Sequence, residues 1–404
     1  MSHRNKIAVI ADDFTGAAEI GGIGLRHGFR VVIEMEPIDN KEADLLIIAT
    51  DTRSMHKEEA VQYITRLTRE LMNFHPLIIY KKIDSVLRGN VSEELVAQMK
   101  VMQLERSVII AANPVFNRII RDGSYLIDGI PLDQTRFSDD LQYPMHSSHV
   151  LSILAKEEDY PLINLRPDDL LPEKGLIVGD VENMEDLNKW AAKYNDSTLF
   201  AGASGFFDSL LRVFPLQSRL SKTKTISFGK NALIILGSNY PKDDLLLSQI
   251  KKHGYQLSNM PFGIYSHKDY PSVLLDNWIE EVVSGLKKHH KVVVASMHSN
   301  SEEQGLSVRI KQVMAKLVKR VADRITLNEI LIEGGSTTSE ILKHMNIKKL
   351  IPFHELDTGV IRMKVDGVPG LCITTKPGSY LWPQNMWLTD VIEQLNNQAQ
   401  TLGS

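Results

Sequence analysis

Continuous apolar runs that end in polar residues are the dominant pattern of the first third of the chain. The runs IAVIA, LLIIAT, LIIYK and VIIAA are followed by Asp12-Asp13, Asp51-Thr52-Arg53, Lys82-Ile83-Asp84-Ser85 and Asn113-Pro114. Helix-like segments lie between most of them, and strands that alternate with helices predict a parallel sheet buried on both faces. Parallel strands end at one edge, where ligands bind, so we expect carboxylates, cations and an amide to meet there.

A polar segment, QSRLSKTKTISFGK at residues 217–230, separates this series from a second α/β series that starts at ALIILG. A length of 404 residues also favours two domains. The sequence therefore predicts two α/β domains with mainly parallel sheets, residues 1–222 and 223–404, and an active-site cleft between them. The turn-rich segment 113–149 contains many aromatic and apolar residues and predicts an ordered excursion.

Composition narrows the class of protein. The net charge is −4, no dense Lys/Arg block occurs, and there is one cysteine, Cys372. These features argue against a nucleic-acid partner, a disulfide framework and a thiolate metal site. The N-terminus lacks the pattern of a signal peptide, and no apolar run is long enough to span a bilayer. We expect a cytoplasmic protein without a membrane partner.

The first candidate site is Asp12-Asp13-Phe14-Thr15-Gly16, where a strand turns into a helix. Small residues after it leave helical N–H groups open to an anion. Asp13 or Thr15 could simply cap the helix. Two adjacent carboxylates, of which only one can cap, favour a function for Asp12 in holding a substrate hydroxyl, a proton or a metal.

The second candidate is the stretch 82–90, which brings two cations, a carboxylate and a glycine together after a buried strand. Lys82 and Arg88 suit an anionic ligand, whereas the alternative is a local ion pair that caps the next helix. Arg53 is a weaker candidate, because a turn arginine is usually solvated. Arg118, in the excursion, is equally weak.

Three glycine turns in the second half follow predicted strands: Gly237-Ser238-Asn239, Glu333-Gly334-Gly335-Ser336-Thr337 and Lys376-Pro377-Gly378-Ser379. Paired glycines permit close approach to phosphate, and Thr337 with Glu340 predicts a capping box. The three turns together suggest a nucleotide site. No GxxxxGK[ST], HExxH or CxxC pattern occurs, and GGIGLRHG at 21–28 is better explained by helix packing than by dinucleotide binding.

These segments together resemble the four-carbon acid sugar kinase family. The most specific pieces are ADDFTGA (11–17) and KKIDSVLRGN (81–90); the loop 113–140 and the glycine turns also match. The resemblance implies substrate contacts at Asp12, Arg53, Lys82, Ile83, Asp84 and Ser85. It implies ATP contacts at Ser238, Gly334, Gly335, Ser336, Thr337 and Gly378.

The resemblance to this family implies that the protein transfers a phosphoryl group from ATP, with Mg²⁺, to the terminal 4-hydroxyl of a four-carbon sugar acid. D-threonate is the favoured substrate, and D-erythronate and 3-oxo-tetronate are alternatives. We expect Arg53, Lys82 and Arg88 to hold the substrate, and Asp84 or Asp12 to accept the proton of the attacking hydroxyl. The metal ligands and the assembly state, with a homodimer as one option, stay open. Two alternatives belong to other functional classes: an NAD-linked hydroxy-acid oxidoreductase and a non-catalytic sugar-acid sensor.

Overall fold

The computed structural model describes residues 7–36, 43–138, 143–155, 157–214, 228–237, 254–266, 270–296, 305–378 and 382. The chain divides into two units, residues 1–220 and 221–404. Both units combine parallel strands with helices, so the predicted α/β class is confirmed.

Seven strands of the first unit coincide with apolar runs, and the strands at 118–131 and 162–165 lie outside such runs. The strands of this unit are β1 (Ile7–Ala11), β2 (Val31–Glu34), β3 (Leu45–Ala49), β4 (Ile78–Lys82), β5 (Arg106–Ile110), β6 (Arg118–Arg121), β7 (Ser124–Ile127), β8 (Ile130–Pro131), β9 (Leu162–Leu165), β10 (Gly175–Gly179) and β11 (Leu199–Gly202). Its helices are α1 (Phe14–Arg26), α2 (Lys57–Met72), α3 (Val91–Met102), α4 (Val150–Ile153), α5 (Met184–Ala192) and α6 (Ser204–Val213).

The main sheet of this unit has the order β2-β3-β1-β4-β11-β5-β10-β9, and every neighbouring pair in it is parallel. β1, β3 and β4 are buried along their whole length, which is why their sequences are continuously apolar until the last residues of β4. Because β1 lies between β3 and β4, the segments that follow these three strands start side by side.

The small residues of α1 serve packing, as the sequence predicts. A Cβ atom added to Gly24 would lie 2.5 Å from Leu45 Cδ2 and 2.8 Å from Val31 Cγ2. The helix therefore lies directly on β2 and β3, and the start of α1 is held close to the end of β1.

The segment after Asn113 is an ordered excursion, as predicted, and it forms a small antiparallel sheet of β6, β7 and β8. A backbone bridge between Ile120 and Val181 joins it to the segment after β10. The excursion therefore lies at the same edge where the parallel strands end.

The second unit contains β12 (Ala232–Leu236), β13 (Gln256–Asn259), β14 (Lys291–Ala295), β15 (Glu329–Glu333), β16 (Lys349–Asp357), β17 (Val360–Val365) and β18 (Cys372–Lys376). Its helices are α7 (Phe262–Ser266), α8 (Ser272–His289), α9 (Leu306–Ala322) and α10 (Gly335–His344). The strand order is β13-β14-β12-β15-β18-β17-β16, parallel from β13 to β18 and antiparallel beyond. Within the described ranges, no helix has the length and apolar character needed to cross a membrane.

Candidate active site

The ends of β3, β1 and β4 bring Arg53, Asp12 and Asp84 into direct contact. Arg53 lies in a 3-10 turn, Thr52–Ser54, three residues beyond Thr50, whose backbone N–H donates to Ala11. Its own N–H donates to the carbonyl of Asp12 at 3.2 Å. Because β1 lies between β3 and β4, residues far apart in sequence form one cluster at the ends of these strands. The sequence pattern predicts such a cluster at this edge of the sheet.

Arg53 is the centre of this cluster. Its Nε and Nη2 donate to the two oxygens of Asp12 at 2.9 and 3.0 Å. Its Nη1 lies 2.8 Å from Asp13 Oδ2 and 3.3 Å from Asp84 Oδ1. Burial by itself would lower the pKa of Arg53, but Asp12, Asp13 and Asp84 raise the pKa well above its ordinary value. The guanidinium therefore stays charged and holds three carboxylates.

Asp84 is held by a second arginine. Arg88 Nε and Nη2 donate to Asp84 Oδ2 and Oδ1 at 2.8 and 2.9 Å, and the backbone N–H groups of Val86 and Arg88 also donate to Oδ2. Burial would raise the pKa of Asp84, but Arg88 and Arg53 and these hydrogen bonds bring the pKa far below its usual range. This carboxylate stays ionised and is a weak proton acceptor.

Lys82 is the buried cation of the site. Its side chain is 4% exposed, and its Nζ donates to the carbonyl of Ile83 at 2.9 Å. A Cβ atom on Gly16 would lie 2.8 Å from Nζ, so the ammonium reaches the first turn of α1. Among the described residues no carboxylate lies within 4.0 Å of Nζ. A buried charge without a counter-ion is unfavourable unless a ligand provides one.

Asp13 caps α1, as the simpler interpretation predicts. Its Oδ1 accepts from the backbone N–H of Gly16 at 2.7 Å, and its backbone is extended. Asp12, in contrast, makes no capping bond and is 3% exposed. The two adjacent carboxylates therefore have different contacts: Asp13 caps α1 and lies beside Arg53 Nη1, whereas Asp12 accepts from Arg53 through both of its oxygens.

A buried polar network supports the Arg53 turn from the other face of the sheet. Thr52 Oγ1 donates to Glu94 Oε2 at 3.0 Å and lies 2.8 Å from Thr50 Oγ1. Glu94 forms an ion pair with Lys81, and both side chains are almost completely buried. Burial raises the pKa of Glu94, although Lys81 and Thr52 act in the opposite direction. This network fixes the main chain immediately before Arg53.

Gly89 permits the close approach of the 82–90 segment to Arg53. Its φ is +88°, and an added Cβ would lie 2.9 Å from Arg53 Cγ. Asn90 continues the connection, because its Nδ2 donates to the carbonyls of Thr52 and Met55 at 3.3 and 3.0 Å. The glycine is therefore part of the site for steric reasons, which the sequence motif alone does not show.

The excursion contributes residues that sequence reasoning left as weak candidates or missed. Arg118 Nη1 donates to Ser85 Oγ at 2.5 Å, and Tyr125 Oη donates to the carbonyl of Ser85 at 2.7 Å. Tyr143 Oη donates to the carbonyl of Arg53 at 2.5 Å. The only sequence signal for these contacts was the aromatic content of the segment. Ile83, a predicted substrate contact, has a buried side chain, and its N–H donates to the carbonyl of Gly202. Only its carbonyl oxygen, which accepts from Lys82, has a second lone pair for a ligand.

The second unit builds a different kind of site at the ends of β12, β15 and β18. Gly334 has φ +97°, its N–H donates to the carbonyl of Lys376 at 3.0 Å, and α10 begins at the next residue. A Cβ on Gly237 would lie 2.6 Å from Thr337 Oγ1, so the two turns touch. No side chain caps α10. Its first N–H groups fit an anion such as a phosphate.

The predicted capping box of Thr337 and Glu340 is wrong. The helix begins at Gly335, with Gly334 as the N-cap residue, so Thr337 already lies inside the first turn. Glu340 lies 3.3 Å from His344 Nδ1 instead. With Gly334 at positive φ as the N-cap residue, the helix starts three residues earlier than a Thr337 cap would place it. Ser336 is exposed beside it, and Gly378 is half-buried after β18; Ser238 lies outside the described residues.

Lys376 and Glu333 form a buried pair at this edge. Lys376 Nζ lies 3.1 Å from Glu333 Oε2, and Trp382 Nε1 donates to the same oxygen at 3.2 Å. Burial lowers the pKa of Lys376 despite the neighbouring carboxylate.

In the parts of the chain that the structure describes, no group of three or more His, Cys, Asp or Glu side chains is arranged to hold a metal ion.

Two domain families match two parts of the chain. Residues 7–210 match the family model of a sugar-binding N-terminal domain, and residues 264–380 match that of a nucleotide-binding C-terminal domain. A D-threonate kinase of Salmonella typhimurium is 30% identical over 233 residues, which are 53% of this chain and 55% of that protein. A D-erythronate kinase of Heliobacterium modesticaldum is 32% identical over 162 residues, 39% of this chain and 37% of that protein.

The chain belongs to the four-carbon acid sugar kinase family. It spans about half the length of the Salmonella relative and less of the Heliobacterium one. Another family member, a D-threonate kinase of Cupriavidus necator, is 23% identical over 94% of this chain and 96% of that protein.

Two solved structures share the fold of this chain. One, a Salmonella typhimurium LT2 protein described as a tRNA synthase, has a TM-score of 0.76 at 17% identity, over 95% of this chain and 98% of that chain. The other, a Haemophilus influenzae DUF1537 protein, has a TM-score of 0.69 at 18% identity, over 93% and 97%. At such identities the likeness establishes the fold alone.

Proposed function

We propose that this protein transfers the terminal phosphoryl group of ATP to the 4-hydroxyl of a four-carbon sugar acid. The observation that carries the proposal is Lys82, whose carbonyl accepts from the Asp12 N–H and whose buried ammonium has no carboxylate within 4.0 Å among the described residues. A small hydroxy acid provides both the negative charge and the hydroxyls that such a site requires. D-threonate is the first candidate substrate, and D-erythronate and 3-oxo-tetronate are alternatives, because relatives with these three names match the chain.

The residues of the first unit are proposed to have two roles, direct contact with the acid and positioning of the carboxylates. Lys82, the carbonyl of Ile83 and Ser85 are proposed to contact the acid directly. Arg53 and Arg88 already hold carboxylates, so they contribute chiefly by keeping Asp12 and Asp84 in position. Positioning and charge are what a phosphoryl transfer requires most.

Asp12 is the better candidate for the base that accepts the proton of the attacking hydroxyl. The low pKa of Asp84 makes it a weak acceptor, since it would give up any proton it received. Each oxygen of Asp12 accepts one hydrogen bond from Arg53 and retains a second lone pair. We therefore propose Asp12 as the catalytic carboxylate and Asp84 as the anchor of Arg53 and Arg88.

The second unit is proposed to bind ATP with Mg²⁺. The uncapped start of α10, the positive φ of Gly334 and the neighbouring turns at Gly237 and Gly378 fit a polyphosphate. Ser238, Gly335, Ser336 and Thr337 complete the proposed contacts. When bound, ATP supplies the phosphoryl group, and Mg²⁺ neutralises phosphate charge while it relies on few protein carboxylates. The interdomain cleft stays a prediction.

A coupled ADP-release assay over a panel of four-carbon sugar acids tests the proposal. We expect turnover that needs both ATP and one of the acids, and background hydrolysis in the absence of an acid. A parallel screen measures the shift in melting temperature with ATP, NAD and Mg²⁺, and it distinguishes a kinase from an oxidoreductase and from a sensor. Stabilisation by NAD alone would indicate an oxidoreductase, and acid binding without ADP release would indicate a sensor.

A further inference from the structure

Arg118 brings to the Ser85 turn a positive charge that the ion-pair cluster does not neutralise. It is half-buried at the start of β6, and its Nη1 donates to Ser85 Oγ. Among the residues for which the structure gives positions, no carboxylate lies within 4.0 Å of its guanidinium. A guanidinium at this depth gains from an anionic partner.

The other two arginines of the site are already occupied. Arg53 contacts Asp12, Asp13 and Asp84. Arg88 engages both oxygens of Asp84. Their charge is therefore matched inside the protein, so they add little net attraction for an anion. Of the described residues at this edge, Lys82 and Arg118 both lack a carboxylate within 4.0 Å of their charged groups.

The position of Arg118 is set by packing and by the excursion sheet. Tyr125, paired with Ile120 across β6 and β7, donates from Oη to the carbonyl of Ser85. The guanidinium carbon lies 5.8 Å from the centroid of the Phe137 ring, which Arg88 approaches at 5.5 Å. An arginine held by a ring and a hydroxyl loses little side-chain freedom when it binds a ligand.

We infer that Arg118 binds the carboxylate of the sugar acid and thereby makes the site select an acid over the matching neutral polyol. The inference rests on the proposed function. Ser85 Oγ accepts from Arg118, so its own hydrogen is available to a ligand oxygen. The fork of a guanidinium suits a carboxylate, and the contacts of Arg118 tie it to the segment 82–88 of the first unit.

Kinetics on two substrates test this inference. Arg118→Gln is compared with wild type on D-threonate and on a four-carbon polyol that has the terminal hydroxyl but no carboxylate. We expect kcat/KM for the acid to fall roughly 10- to 100-fold, mostly through KM, with no change for the polyol. Arg121→Gln, which removes an exposed arginine paired with Glu182 on the same strand, is the control and should change neither.

Calorimetric titration with D-threonate in the absence of ATP gives an independent readout. Weaker binding by Arg118→Gln supports the inference, whereas unchanged binding, or an equal loss of activity on acid and polyol, overturns it. The equal loss would place the guanidinium on the transferred phosphoryl group. If Arg118→Gln does not fold, Arg118→Lys keeps the charge without the fork, and a Kd for the acid equal to that of wild type overturns the inference.

Failure of the two proposals can be told apart. A wild-type protein that releases no ADP with any acid removes the proposed function, while the titration still decides the role of Arg118. If wild type binds none of the acids in the titration, the inference fails as well. Turnover by wild type, combined with normal acid kinetics in Arg118→Gln, removes the inference alone.

Discussion

Arg53 and Asp12 form a two-pronged ion pair in which Nε and Nη2 donate to the two carboxylate oxygens at 2.9 and 3.0 Å. The pair joins the segment after β3 to the segment after β1. Both side chains are largely buried, with 13% and 5% of their surfaces exposed. The base proposed for the reaction is thus oriented by an arginine that also contacts Asp13 and Asp84, which couples the four residues.

The two candidate carboxylates should differ when each is neutralised. We expect Asp12→Asn to lower kcat roughly 10²- to 10⁴-fold, the usual contribution of a general base. Asp84→Asn should mainly raise KM, because it releases Arg88 and Arg53 from their positions. Steady-state kinetics over a pH series separates the two effects. If kcat were near normal in Asp12→Asn and lost in Asp84→Asn, the proposed roles would be exchanged.

Asp84 should make stability depend on pH in the acid range. Its pKa in the folded protein lies well below the value of about 3.9 for an unfolded Asp. Its ionised form therefore stabilises the protein above about pH 4, and this contribution is lost as the pH falls from there toward the folded pKa. The gap in unfolding free energy between wild type and Asp84→Asn should shrink by about 1 kcal/mol between pH 5 and pH 3.

Urea unfolding at the two pH values measures this gap. Asp168→Asn, which removes an exposed carboxylate beside Lys189, is the control and should differ little from wild type at both pH values. A constant gap for Asp84→Asn would mean that Asp84 has an ordinary pKa in the folded protein.

Two glycines of α1 should respond differently to the same substitution. Gly16→Ala places a methyl group 2.8 Å from Lys82 Nζ and 2.9 Å from Asp13 Oδ1, and the lysine end can move away. We expect KM for the sugar acid to rise about 10-fold with little change in Tm, since Ala favours a helix.

Gly24→Ala is the matched change in the core. Its methyl group would meet Leu45 and Val31, so we expect a loss of about 1–3 kcal/mol in unfolding free energy and an unchanged KM. Thermal melting and kinetics of both variants check the contrast. An equal effect of the two variants on KM would remove Lys82 from substrate binding.

The start of α10 should be sensitive to a side chain at Gly334. At φ +97° an alanine is strained, and its methyl group would lie where the backbone is proposed to approach phosphate. We expect Gly334→Ala to abolish thermal stabilisation by ATP and to leave titration with the sugar acid unchanged. Gly367→Ala is the control: Gly367 has φ +74° and no atom within 4 Å of an added Cβ, so the alanine is strained at a position outside this turn. We expect ATP to raise the Tm of this variant as it does for wild type. Loss of the response in both variants would point to general strain.

The apolar runs by themselves predicted the fully buried strands of the parallel sheet. Runs such as IAVIA and LLIIAT are long and apolar enough to be buried on both faces, and helices follow or separate them, so a parallel sheet follows from the pattern alone. Some segments were missed, among them β9 and α6. β9 has only four residues, all of them partly exposed, so its sequence resembles a loop. α6, in contrast, buries apolar residues at helical spacing and was missed in spite of that pattern.

The candidate site was predictable in its location and less so in its chemistry. Strand ends placed Asp12, Arg53 and Asp84 at one edge because parallel strands share a direction. The pairing of Arg53 with three carboxylates, and the low pKa that follows for Asp84, depend on distances of 2.8–3.3 Å that no pattern contains.

By itself, the sequence determined the class of the fold, the edge where polar residues gather and the family resemblance, because each follows from local periodicity or a contiguous motif. Only the tertiary structure decided that Asp12 pairs with Arg53 and that Arg118 reaches Ser85. These are contacts between segments that lie up to 41 residues apart. Such contacts arise from strand order and helix packing, which no stretch of residues specifies alone.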